Sequence, residues 1–181
     1  MISAATVNAE SYLKRADVGA YIDELIQQHG FSRQELEEVL AAAERRQDII
    51  DLMRRPAERR LNWHEYSKIF LDEQRIAGGV EFWQQNRATL ERAQRNYGVA
   101  PEVVVAIIGV ETRYGRVTGR HRVIDALMTL AFDYPPRASF FRKELTQFLV
   151  LAREEGKNPT SLMGSYAGAM GYGQFIPSSF R

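Results

Sequence analysis

Apolar residues recur every three or four positions along nearly the whole chain, a period that lines one face of a helix. Val18, Tyr21, Ile22, Leu25 and Ile26 share such a face, with Gly30 suited to end the helix. Ser32 with Glu35 has the spacing of a capping box, ahead of a stripe of Leu36, Val39, Leu40 and Ala43. Ile49, Ile50, Leu52 and Met53 carry the pattern on until Pro56 interrupts it. Asn62 with Glu65 marks another helix start, followed by Tyr66, Ile69 and Phe70. One longer helix is predicted after Gly78-Gly79, with Phe82, Trp83, Leu90 and Ala93 inward and Gly98 at its end. Further helices are expected through Ile124, Leu127 and Leu130, then from Phe141 through Leu145, Phe148, Leu149 and Ala152 to Gly156. The predicted class is all-α.

The run from Val103 to Val110 carries no charge, and its β-branched residues leave a strand open by local propensity. Pro101 at a first-turn position and helical neighbours on both sides favour a buried helix. Glu111 closes that run and shares a helical face with Val104, Ile107 and Ile108. Burial beside aliphatic groups and the negative end of a helix would both raise a carboxyl pKa, as a general acid requires. The alternative is a buried structural glutamate paired with Arg113 or Arg116. Physics alone leaves the two readings even.

Between Gly164 and Gly173, glycines alternate with Ser165, Tyr166, Met170 and Tyr172. The segment lacks the Lys-Ser/Thr of a phosphate loop and the spacing of a dinucleotide fingerprint. Its glycines allow close approach of a ligand to the backbone. Ser165 and Gln174 offer hydrogen bonds, and Tyr166 or Tyr172 a ring face for a sugar; a tight turn between helices is the plainer alternative. The later acidic residues Asp125, Asp133, Glu144, Glu154 and Glu155 have no context resembling that of Glu111, so a one-carboxylate mechanism fits better than a paired one.

Absence of cysteine excludes disulfides and thiolate metal sites, and among these 181 residues leaves no cysteine to carry a lipid anchor; whether the intact protein is lipid-anchored stays open. The histidines His29, His64 and His121 show no ligand spacing, and neither a metal nor a cofactor is expected. A net charge of +1 argues against nucleic acid, although the pairs Arg45-Arg46, Arg54-Arg55 and Arg59-Arg60 keep a nucleic-acid-binding helical scaffold as a minor reading. No apolar stretch approaches the ~20 residues of a membrane span. Met1 to Glu10 lack the features of a signal peptide, so either the protein is cytoplasmic or an export signal has been removed.

Glu111-Thr112-Arg113-Tyr114-Gly115, and the long segment from Gly164-Ser165-Tyr166 through Gly173-Gln174-Phe175-Ile176-Pro177-Ser178-Ser179, closely resemble the two leading motifs of the murein lytic transglycosylase B family. The likeness runs from about Trp63 onward and takes in Gly79 to Trp83, Tyr97-Gly98 and Asp125-Ala126-Leu127; before Trp63 only the helical style matches. It implies an N-terminal helical domain (1–98) packed on the first part of a lysozyme-like catalytic core (99–181). It also implies cleavage of the β-1,4 bond between N-acetylmuramic acid and N-acetylglucosamine without water, giving 1,6-anhydromuramyl ends. The single glutamate, acid and then base, corresponds to Glu111. Ser165 and Gln174 match groove-lining positions, and Tyr66 an aromatic residue at the cleft; Tyr172, within the second motif, is taken with them as a substrate-binding ring. Arg137 matches a basic position near the peptide-bearing side of the substrate. The implied partners are peptidoglycan glycan strands, with cell-wall synthesis or turnover proteins besides, and the implied location is the periplasm.

Family members continue with an aspartate-rich, calcium-binding loop and further helices. Neither follows here, so a truncated core without a metal site is expected. A noncatalytic glycan-binding fragment and a lysozyme-type hydrolase are the competing readings.

Overall fold

The computed structural model describes residues 10–55 and 62–181. In chain order they form α1 (Glu10–Leu13), α2 (Ala16–His29), α3 (Arg33–Ala41), α4 (Gln47–Arg54), α5 (Trp63–Phe70), α6 (Glu73–Gln85), α7 (Arg87–Tyr97) and α8 (Pro101–Thr112). There follow β1 (His121–Arg122), α9 (Val123–Asp133), a 3-10 turn (Pro135–Arg137), α10 (Ala138–Glu154), β2 (Met163–Gly164) and α11 (Pro177–Phe180). The two short strands pair antiparallel, His121 opposite Gly164, and the chain is otherwise helical, as expected.

The chain groups into two compact units. One joins the residues through Arg55 to Gly119–Met170 and Phe175–Arg181; the other joins residues up to Thr118 to Gly171–Gln174. Residue 98, the division expected from sequence, is the C-cap of α7 within the second unit. The interruption expected at Pro56 lies outside the described residues, as does the Arg59-Arg60 pair.

The first unit is built around α9, whose residues Val123 through Phe132 are all buried. The stripes of α2, α3, α4 and α10 close on it: Val18, Ile22, Leu25, Leu36, Leu40, Ile49, Phe141, Leu145 and Phe148 form one continuous apolar cluster with it. Two polar residues one turn apart on α9 complete the packing. Asp125 accepts the backbone N–H of Glu44 at 2.8 Å, and the Thr129 hydroxyl accepts that of Arg46 at 2.9 Å. They satisfy the loop that opens α4, whose own N-cap Arg46 supplies no capping side chain. Arg122 donates to the other oxygen of Asp125 at 2.8 Å, and burial still pushes that carboxyl above its ordinary pKa.

The second unit holds α5 to α8, with α6 and α7 both packed on α8. Asn62 and Glu65 form a full capping box at the start of α5, whereas Ser32 supplies only its own half, accepting from the Glu35 amide at 3.1 Å. The helix predicted after Gly78-Gly79 is two helices: Asp72 caps α6, the glycines lie inside it, and the chain breaks at Asn86 before α7. Leu90 is buried as expected, but Trp83 is exposed. The run from Val103 is helical, with Pro101 at its first turn. Its buried stripe is Pro101, Val105, Gly109 and Thr112, which leaves Val103, Ile107 and Val110 nearly half exposed. The buried-helix expectation is therefore corrected: an uncharged run offers no polar face by which to tell inside from outside.

Candidate active site

Glu111 is the penultimate residue of α8, near the helix C-terminus as expected, but it is exposed. It does share a face with Ile107, four residues back, and that face turns outward. Neither Arg113 nor Arg116 pairs with it. Arg116 reaches Glu81 instead at 3.7 Å, and among the described residues no group hydrogen-bonds the Glu111 carboxylate. The alternative of a closed structural ion pair is thus not what the geometry shows.

The residues after Glu111 hold it in place. Arg113 and Tyr114 take the left-handed conformation, φ 49° and 61°, which non-glycine residues seldom adopt without support. Support comes from the Tyr114 ring, which lies in a slot floored by glycines of two helices. A Cβ at Gly79 on α6 would sit 2.7 Å from the Tyr114 hydroxyl, and one at Gly109 on α8 only 2.4 Å from it. The ring also packs on Phe82, centroids 5.6 Å apart. Thr112, buried at 1% exposure, accepts the Gly115 amide at 3.0 Å while its hydroxyl lies 3.0 Å from the Tyr172 carbonyl. That hydroxyl ties the end of the glutamate helix to the segment bearing Tyr172 and Gln174.

Gln174 is left-handed as well, φ 48°, and its amide nitrogen donates to the carbonyls of Thr118 at 3.1 Å and Gly171 at 3.0 Å. Both amide hydrogens have partners, so the side-chain oxygen is left as an acceptor. Tyr172 is 53% exposed. Tyr66 on α5 is 47% exposed and sits between Trp63 and Phe70, with centroids at 6.3 and 5.0 Å. Such ring faces suit the C–H face of a sugar. Glu111, Tyr172, Gln174 and Tyr66 all belong to the second unit.

Ser165 and Arg137 belong to the first. The Ser165 hydroxyl oxygen accepts the amides of Ala167 at 3.2 Å and Ala169 at 3.1 Å, which closes a loop whose Gly168, φ 82°, could not carry a Cβ without meeting Leu127 at 2.6 Å. With its lone pairs engaged, Ser165 retains a proton to donate. The loop is therefore both a tight turn and a source of hydrogen bonds. Arg137 is exposed, stacked on Phe140 at 4.4 Å and Phe141 at 5.4 Å.

Sequence reasoning missed three side chains. Thr112 and Tyr114 lie in the motif but carried no signal of burial or close packing; the three glycines 78, 79 and 109 were the available clue. Glu144, grouped from sequence with Glu154 and Glu155 as acidic residues without a context like that of Glu111, is buried and accepts the Ser178 amide at 2.9 Å, anchoring the first turn of α11. Among the described residues, no cluster of three or more His, Asp or Glu could hold a metal ion, and no helix is long and apolar enough to cross a membrane.

A sequence profile of the Transglycosylase SLT domain matches residues 14–181, and the chain belongs to that family. It is 46% identical over 170 residues to the membrane-bound lytic murein transglycosylase B of Escherichia coli K12, covering 89% of this chain and 47% of that protein. Among solved structures, the soluble lytic transglycosylase SltB1 of Pseudomonas aeruginosa superposes with a TM-score of 0.89 at 53% identity, over 91% of this chain and 56% of that one. A more distant one, SltB3 of the same organism in complex with NAG-anhNAM-pentapeptide, gives 0.83 at 26% identity, over 96% and 44%. The fold is thus the lysozyme-like one expected, and the chain spans about half the length of these relatives.

Proposed function

We propose that the protein is a peptidoglycan lytic transglycosylase and that Glu111 carries its chemistry. One observation supports the role of Glu111 most: its carboxylate stands exposed and unpaired at the end of α8, on a turn locked to the segment of Tyr172 and Gln174. The acid form gives its proton to the glycosidic oxygen as the C1–O bond between N-acetylmuramic acid and N-acetylglucosamine breaks. The carboxylate left behind then takes the proton of the muramyl 6-hydroxyl as that oxygen bonds to C1. Glu111 ends protonated, no water is consumed, and the product carries a 1,6-anhydro ring. A single carboxylate suffices for this sequence, whereas hydrolysis by inversion needs a second one to activate water. The buried carboxylates Asp125 and Glu144 are occupied with Arg122, Glu44 and Ser178.

In this reading Ser165 donates to, and Gln174 accepts from, the acetamido groups of the sugars. Tyr66 and Tyr172 face the rings, and Arg137 meets the peptide-bearing side. The proposed site of action is the periplasm, where the glycan lies, and residues 99–181 form the first part of the catalytic core behind a helical segment. The anhydro sugar bound in the SltB3 structure is consistent with that product class. Incubation of the full-length protein with purified murein, followed by mass spectrometry, tests the reading. Anhydro-ended muropeptides are expected; reducing ends would indicate a hydrolase, and binding without new ends a recognition module.

A further inference from the structure

Within the second unit a cavity of about 170 Å³ is lined by Asp72, Gln74, Arg75, Arg113, Tyr114 and Arg116. Its distinguishing feature is Arg75. The side chain is only 9% exposed, yet Nε and Nη1 are buried with no hydrogen-bond partner. Phe70 covers one face of the guanidinium at 5.2 Å, which leaves the in-plane donors unsatisfied. The Asp72 carboxylate stops 3.9 Å from Nε, beyond hydrogen-bond reach, because its other oxygen caps α6 through the Arg75 amide at 2.8 Å. A buried cation with free donors is costly unless an acceptor completes it. The ionised groups of the lining are the guanidinium groups of Arg75, Arg113 and Arg116 and the Asp72 carboxylate; with Arg116 also reaching Glu81, outside the lining, at 3.7 Å, one positive charge is left unbalanced.

We propose that this cavity is an anion site that takes a carboxylate. A single negative charge neutralises the surplus, and a planar carboxylate matches guanidinium donors. A phosphate dianion would overshoot that charge beside Asp72. The assignment stands apart from the role of Glu111.

Melting of the full-length protein in sodium acetate, against sodium chloride at equal ionic strength near neutral pH, tests it. A saturable rise of roughly 2–4 °C is expected once acetate exceeds its dissociation constant about fivefold. Arg75→Met should abolish the rise, without loss of stability in chloride, since it removes a buried unpaired charge. Arg113→Gln, at an exposed position, keeps the fold and should weaken acetate binding about tenfold. A response to inorganic phosphate equal to or above that to acetate overturns the carboxylate assignment; no acetate response, or one that survives Arg75→Met, overturns the site. Displacement of acetate by NAG-anhNAM-pentapeptide would give the substrate as the source of the carboxylate, and failure to displace it a free small acid. That last arm alone rests on the glycan reading.

Discussion

Thr112 does the work of holding Glu111, and the pair of substitutions at this position separates its hydroxyl from its bulk. Thr112→Val strips the Gly115 amide of its acceptor and cuts the link to the Tyr172 carbonyl, at a cost of about 1–3 kcal/mol. Turnover of murein should fall at least tenfold, whereas Thr112→Ser keeps the hydroxyl and should keep most of the activity. Ser165 differs because its oxygen has two backbone amides to satisfy. Ser165→Ala should therefore lower the melting temperature as well as turnover, while Gln174→Ala should weaken turnover mildly by removing one acceptor. Kinetics and thermal melts on the same preparations distinguish the cases. At this scale the motif made Glu111, Ser165 and Gln174 legible as candidates. What could not be read was how their remaining hydrogen-bonding capacity is divided, because those partners are backbone groups brought close by turns.

Gly109 makes room on α8 for the Tyr114 ring, whose hydroxyl occupies the space a side chain would need. Gly109→Ala should destabilise the protein by about 1–3 kcal/mol through overpacking. Chemical denaturation measures this, and a neutral result would mean that the Tyr114 slot is loose. Helix existence was readable almost throughout, because apolar spacing, Pro101, Gly30 and Gly98 each mark a local requirement of the backbone. Two features of the elements were not. The break at Asn86 lacks a glycine or proline, and the glycines taken as a boundary serve packing inside α6 instead. The orientation of α8 was hidden for a different reason: with apolar residues all round, only tertiary packing decides that Val105 and Gly109 face inward while Ile107 and Glu111 face out.

At the scale of the molecule, pH should act on stability through His121. Its ring is 6% exposed, Nδ1 lacks a hydrogen-bond partner, and Asp48 lies 4.0 Å away, so burial holds its pKa below the ordinary 6.5 despite that carboxylate. The unfolded chain then takes up the proton first on acidification. Stability is expected to fall as pH drops through 6.5 and to level off once the folded form also protonates, a slope that His121→Gln should flatten in urea titrations. The all-helical class was legible from periodicity alone, and the glycine-rich motif from its unusual composition. The grouping of the chain ends of one unit around α9 was not, because it depends on contacts between residues more than a hundred positions apart, such as Tyr12 with Asp133. The central claim is that one carboxylate performs the cleavage. Its most direct test is muropeptide release by the full-length Glu111→Gln variant, with melting temperature as a control. Background release from a normally folded protein is the predicted result; anhydro-muropeptides at close to the unsubstituted rate would contradict it.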